Sequence, residues 1–287
     1  MHPIRIGLKA SGQHASIESL RSVWKIADER GFDHCWAFDH FAPIFSDVHG
    51  DVFEGWTMLA AMAAVTTRTR VGLMVTGNTY RHPGVLAKMA VTVDHLSAGR
   101  LEFGLGAAWA EDEHAMFGLE FGTVGQRIAR LKEALQVIRS LWTEAQTDFD
   151  GKYYQLKEAL SNPKPVQKPF PPIWVGGGGE RKTLRVVAEL ADVWNLVGGA
   201  PEDAAHKSAI LDQHCADVGR DPAQIRRSMQ VFFRSNDPRA AVELAQGYLG
   251  VGFTELIIGV GGGDLVHEAE VVANEVMPAI RELAARS

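Results

Sequence analysis

The stretch RLEFGLGAAWAEDEHAMFG, residues 100–118, decides the fold of this chain. It opens as a short apolar run from Leu101 to Leu105 and passes through Gly104, Gly106 and two alanines. It ends in Trp109, Glu111, Asp112, Glu113 and His114. An apolar run that stops at small residues and then at charged ones reads as a buried strand delivering polar chemistry to one edge of a sheet.

The same arrangement recurs along the chain. Apolar runs at Ile4 to Leu8, His34 to Phe38, Val71 to Val75, Ile173 to Val175, Asp192 to Leu196, Ser228 to Phe233 and Thr254 to Ile258 read as seven more strands. Between them lie stretches with helical spacing: Ser16 to Arg30 with Ser16 as cap, Trp56 to Val65, Val85 to Leu96 after Pro83, and Glu180 to Leu190. Pro201 to Val218, Pro238 to Leu249 and Leu265 to Leu283 continue the series, and Gly125 to Trp142 is the clearest, with Ile128, Leu131, Leu135, Ile138 and Leu141 on one face. Only residues 146–170 break the rhythm. There Asp150-Gly151 between aromatic flanks signals a hairpin, followed by a proline-rich return. Eight strand-then-helix units over 287 residues predict an α/β protein, a closed (β/α)8 TIM barrel with an insertion around 146–170 and one domain spanning 1–287.

Composition narrows the function. A net charge of -6 and a pI near 6.0 argue against nucleic acid as a partner. No apolar run approaches the ~20 residues that span a bilayer, and the opening MHPIRIGLKA has no apolar core of signal-peptide length, so neither membrane nor export is expected. Two distant cysteines, Cys35 and Cys215, suit a reducing cytoplasm.

Barrel enzymes work at the C-terminal ends of their strands. Asp39-His40, Thr76 to Asn78, Gly106 to Glu113 and Gly176 to Gly179 all follow strands and therefore share one rim. His40 beside Asp39 is a candidate acid–base pair, with the carboxylate fixing the imidazole tautomer. Four glycines before a helix expose amides and a dipole to an anion, which makes Gly176, Gly177, Gly178 and Gly179 a candidate phosphate cradle; Gly259 to Gly263 compete for that role. Gly104-Leu-Gly106-Ala-Ala-Trp109 lacks the third glycine of a dinucleotide fingerprint; its small residues either let the chain turn at a crowded barrel mouth or let a flat ring lie directly on the backbone, and the stretch by itself does not decide. Glu111, Asp112, Glu113 and His114 are contiguous and cannot all face one ion, so no metal site is predicted. They read as a solvated loop with Glu111 alone pointing inward.

With those residues in place, the chain resembles the bacterial luciferase-like superfamily, most closely its deazaflavin (coenzyme F420) dependent oxidoreductases. AFDHF at 37–41, EGWTMLAAMAAVTTRTRVGLMVTGNTYRHPGVLAKMAVTVDHLSAGRLEFGLGAAW at 54–109 and PPIWVGGGGERKTLRVVAELADVWN at 171–195 carry the resemblance. It implies hydride transfer between F420 and a small organic substrate, with an FMN-dependent monooxygenase of the luciferase or alkanesulfonate type as the alternative. It also implies a non-prolyl cis peptide at Met74-Val75, His40 as the active-site histidine, and cofactor contacts at Met74, Val75, Thr76, Gly106, Glu111 and Gly176 to Gly179. A homodimer is the family habit. Where relatives read G-x-G-x-G-W-N-E, this chain has Ala108 and Ala110. Where the family's sugar-phosphate dehydrogenases place a Glu and a Trp, it offers Ala108 and Ile44, which argues against sugar-phosphate oxidation.

Overall fold

A computed structural model describes residues 2–233 and 237–286. The chain runs β1 (Arg5–Ala10), α1 (Ile17–Glu29), β2 (His34–Ala37), α2 (Gly55–Val65), β3 (Arg70–Leu73), β4 (Thr76–Gly77), α3 (Pro83–Leu96) and β5 (Leu101–Gly106). Then follow α4 (Glu111–Met116), α5 (Val124–Thr143), β6 (Thr147–Asp150), β7 (Gln155–Ala159), β8 (Ile173–Gly176), α6 (Thr183–Leu190), β9 (Val193–Val197) and α7 (Pro201–Val218). The last elements are β10 (Arg226–Phe232), α8 (Pro238–Gly250), β11 (Glu255–Val260), α9 (Leu265–Val271) and α10 (Met277–Arg286).

The parallel order β3-β2-β1-β11-β10-β9-β8-β5 closes on itself through β3–β5 pairing at Val71↔Leu101. That is the expected (β/α)8 barrel. Residues alternate along each strand, so one set packs outward against the helices and the other fills the lumen. In the middle of the lumen Trp36 and Trp174 meet edge to face, with ring centroids 4.7 Å apart, and both are fully buried. Gly72 makes room for this plug, because a Cβ there would stand 2.3 Å from the Trp36 ring. At the N-terminal end, Glu102 and Glu255 face Arg5, Arg70 and Arg226 and seal the barrel with paired charge.

Local sequence accounts for most element ends. The Ser16 hydroxyl accepts from the Ser19 amide and starts α1, and Thr123 and Gln126 form a reciprocal capping box ahead of α5. Four expectations need correction. The strand expected over Val71 to Val75 breaks after Leu73, and the chain rejoins β5 as β4, because Met74 and Val75, linked by a cis peptide, turn their side chains into the barrel mouth. The hairpin β6–β7 forms, but its turn spans 151–154 rather than Asp150-Gly151. Glu133 holds it open by accepting from the amides of Lys152, Tyr153 and Tyr154. The helix expected from Leu265 to Leu283 is interrupted by a wider turn at Val272–Val276. Residues 111–116, expected as loop, form α4. No described helix is long and apolar enough to cross a membrane.

Candidate active site

At the C-terminal rim the strand ends surround a cavity of about 610 Å³. Its walls include Met74, Val75 and Thr76 from the third barrel strand, Gly106 to Trp109 after β5, and Gly176 and Gly177 after β8. Asp39 and His40 enter from the loop after β2. The structure thus brings together most of the residues singled out in the sequence. Gly178 and Gly179 continue the glycine loop beyond the cavity edge. Their amides have no protein acceptor among the described residues, whereas the Gly177 amide donates to Asn195 O at 3.1 Å.

The glycines serve Val75. A Cβ on Gly106 would lie 2.7 Å from Val75 Cγ2, and one on Gly176 would lie 3.0 Å from the same atom. Small residues at these strand ends therefore let an isopropyl group, not only a ligand, occupy the mouth of the barrel. The rival glycine run behaves differently. The Glu268 carboxylate accepts from the amides of Gly261 and Gly262, at 2.8 and 3.2 Å, so an anion from the chain itself fills the cradle that a phosphate would need.

His40 is oriented by a residue other than the one expected. Its Nδ1 lies 2.7 Å from Glu113 Oε2. Both oxygens of Asp39 instead accept from Arg81, at 2.6 and 2.9 Å, and Arg81 also reaches Glu54. Asp39 is buried at the base of the loop with no bond to the imidazole; burial pushes its carboxyl up to about 6 against the pull of Arg81. Its work is to tie the loop after β2 to the start of α2.

Glu113 is the hub of the site. Besides His40 it accepts from the Tyr80 hydroxyl at 2.7 Å, the Ala42 amide at 3.0 Å and the Phe41 amide. Burial alone would raise its carboxyl, but the bonds from His40 and Tyr80, the charge of His40 and the Ala42 amide hold it down at about 2. An ionised carboxylate can only accept, so Nδ1 of His40 carries a proton whether the ring is charged or neutral; in the neutral ring Nε2 keeps its lone pair, with no protein partner among the described residues. Phe38 and Trp109 pack edgewise on the imidazole, with centroids 5.0 and 5.4 Å away, and fix its plane.

Glu111, expected to point inward, is exposed. Because residues 111–116 are helical rather than extended, the inward face falls at Glu113 and His114, one turn beyond Ala110. His114 turns away from His40 and bonds Thr79 Oγ1 at 2.7 Å and Ala110 O at 2.6 Å. The i, i+3, i+4 relation of Ala110, Glu113 and His114 was the available signal for this. Sequence reasoning also missed Lys9. It lies on β1 facing the lumen and donates to Gln230 Oε1 at 2.7 Å, and Gln230 in turn donates to Asn195 Oδ1 at 2.8 Å. Burial brings this ammonium down to about 8.

The family model described as luciferase-like monooxygenase matches residues 1–281. The F420-dependent glucose-6-phosphate dehydrogenase of Kineococcus radiotolerans is 31% identical over 245 residues, 84% of this chain and 71% of that relative. The protein of the same name from Nakamurella multipartita is 27% identical, with 98% of each chain covered. Among solved structures, an F420-dependent secondary alcohol dehydrogenase superposes with a TM-score of 0.86 at 20% identity, covering 98% of this chain and 100% of that one. The coenzyme F420 dependent tetrahydromethanopterin reductase of Methanopyrus kandleri gives 0.83 at 17%, covering 97% and 100%. At such identities the structural likeness speaks for the fold.

Proposed function

Because the chain belongs to the luciferase-like monooxygenase family, we propose that it is an oxidoreductase transferring a hydride between the deazaflavin coenzyme F420 and a small organic substrate. The observation that carries this reading is His40. It is locked by Glu113 into the tautomer with a free Nε2, on the rim of a cavity whose opposite wall is Val75, Gly106 and Gly176.

The residues present fit that coenzyme. Val75, Gly106, Ala107 and Gly176 form an uncharged wall of small groups suited to a flat ring. The partnerless amides of Gly178 and Gly179, just ahead of α6, suit a phosphate in its tail. Lys9 and Gln230 offer donors to ring or substrate oxygens from the cavity floor. When bound, the deazaflavin supplies the two-electron acceptor or donor. His40 Nε2 takes or returns the accompanying proton, Glu113 stabilises the imidazolium that forms, and Asp39 holds the loop through Arg81. Glu111 faces solvent outside the cavity lining and takes no part in this arrangement.

Fluorescence titration tests this reading. Micromolar F420 affinity without comparable FMN affinity supports it, and FMN binding without F420 binding points to a flavin-dependent monooxygenase instead. If His40→Ala leaves turnover unchanged, the assigned proton transfer fails. We further propose a cytoplasmic homodimer. Exposed Val65 on α2 and Val85 and Leu96 on α3 support an apolar contact face, and light scattering on the purified protein tests it.

A further inference from the structure

Five large apolar side chains that line the cavity are also exposed: Phe45 at 92%, Val124, Phe232, Trp109 and Val197. They stand at five different places, after β2, after β5, at the start of α5 and at the ends of β9 and β10, and converge on one opening. Phe45 and Trp109 stack nearly parallel, 5.4 Å apart at 12°. Single exposed apolar residues are ordinary; a ring of them around one cavity is not.

The charges beneath this collar are mostly committed. Arg127 donates to Ala108 O and Gly122 O and packs on Phe121, Asp39 is paired with Arg81, and His40 with Glu113. Lys9 alone among the described cations lining the cavity is bonded only to a side-chain amide. Among the described residues, none at the mouth adds to these the cluster of free cations that a phosphate dianion requires. Among the described residues, the side-chain groups best placed to meet a substrate oxygen are the Lys9 ammonium, the Gln230 amide beside it and the free imidazole nitrogen of His40.

We propose that the substrate is a neutral molecule with an apolar body and a single reacting oxygen, an alcohol or ketone, whose body is held by the Phe45–Trp109–Phe232 collar while its oxygen meets His40 and Lys9. The assignment rests on the oxidoreductase reading for its redox character, but its binding can be measured without coenzyme.

A series of 2-alkanones from 2-butanone to 2-octanone is titrated into the protein, with tryptophan emission as the signal; Trp109 is exposed and every other tryptophan is buried. The expected result is a Kd that tightens about fourfold per added methylene, with Phe45→Ser and Phe232→Ser each flattening that dependence. Leu160→Ser, exposed just beyond β7 and outside the cavity lining, leaves it unchanged. Affinity independent of chain length, or tighter binding of glucose 6-phosphate or of an alkanoate of equal length, overturns the proposal. Failure of F420 to bind overturns the coenzyme reading alone and leaves the alkanone result standing.

Discussion

His40 Nδ1 and Glu113 Oε2 lie 2.7 Å apart across 73 residues of sequence. The pair joins the loop after β2 to α4 and sets the proton on the side of the imidazole that faces away from the cavity.

Glu113→Gln is expected to lower kcat roughly 10- to 100-fold, part of the ~10²–10⁴-fold that a positioned general acid–base contributes, because the imidazole loses the group that sets its proton. Because the amide can present its NH2 to Nδ1, the other tautomer becomes favourable. F420 affinity, read by fluorescence, is expected to stay within a few fold of the parent. An equal fall in both quantities would mean that the carboxylate only holds the loop.

The same carboxylate makes stability depend on acid. Its folded value of about 2 lies below the ordinary 4.5, so the unfolded chain binds the proton more readily across that interval. The stabilisation is therefore complete above about 4.5 and is lost as pH falls towards 2; it amounts to something on the order of 2 kcal/mol after screening. Urea midpoints measured from pH 6 to 3 are expected to fall more steeply for the parent than for Glu113→Gln.

Lys9 should act in the opposite direction. Burial lowers its ammonium to about 8, so the folded state disfavours the charge and stability from this group rises as pH climbs from about 8 towards 10.5. Lys9→Met removes a charge that burial disfavours and is expected to raise stability at pH 7, but only by about 1 kcal/mol, because it also leaves the Gln230 oxygen without its donor. The gain shrinks above pH 8, and binding of the alkanones weakens. Thermal melts at pH 7 and 9.5 check the sign.

Gly106→Ala places a Cβ 2.7 Å from Val75 Cγ2 and is expected to cost about 1–3 kcal/mol by overpacking. Adding Val75→Ala should recover much of that loss. Recovery in the double variant, measured by urea unfolding, distinguishes a clash with Val75 from a general demand for glycine.

Ala108 sits at φ +64, in the left-handed region that costs a Cβ-bearing residue roughly 1 kcal/mol. Ala108→Gly removes that cost but adds chain entropy to the unfolded state, so the expected gain is only about 0.5 kcal/mol. A loss of stability would show that the Ala108 methyl contributes packing at the cavity wall.

Much of this architecture is written locally. Alternation of apolar runs with helical periods, Ser16 and Thr123 as caps, and glycines after strand ends require only neighbours a few residues away, so strand order, barrel closure and the rim carrying His40 and Gly176 could be read from the chain. The hairpin insertion was legible for the same reason, although its turn was displaced by Glu133, which arrives from another helix.

What the tertiary structure alone decided is partnership. Asp39 is adjacent to His40 in sequence, yet its oxygens belong to Arg81, while Glu113 reaches the imidazole because residues 111–116 coil into a helix that turns Glu111 outward. Lys9 looks like an ordinary strand cation until the closed barrel places it beside Gln230 on the cavity floor. Periodicity determines which face of an element is buried, since that depends on the chain's own geometry. Which polar group meets which across 73 or 221 residues depends on how the closed ring of strands brings their ends together.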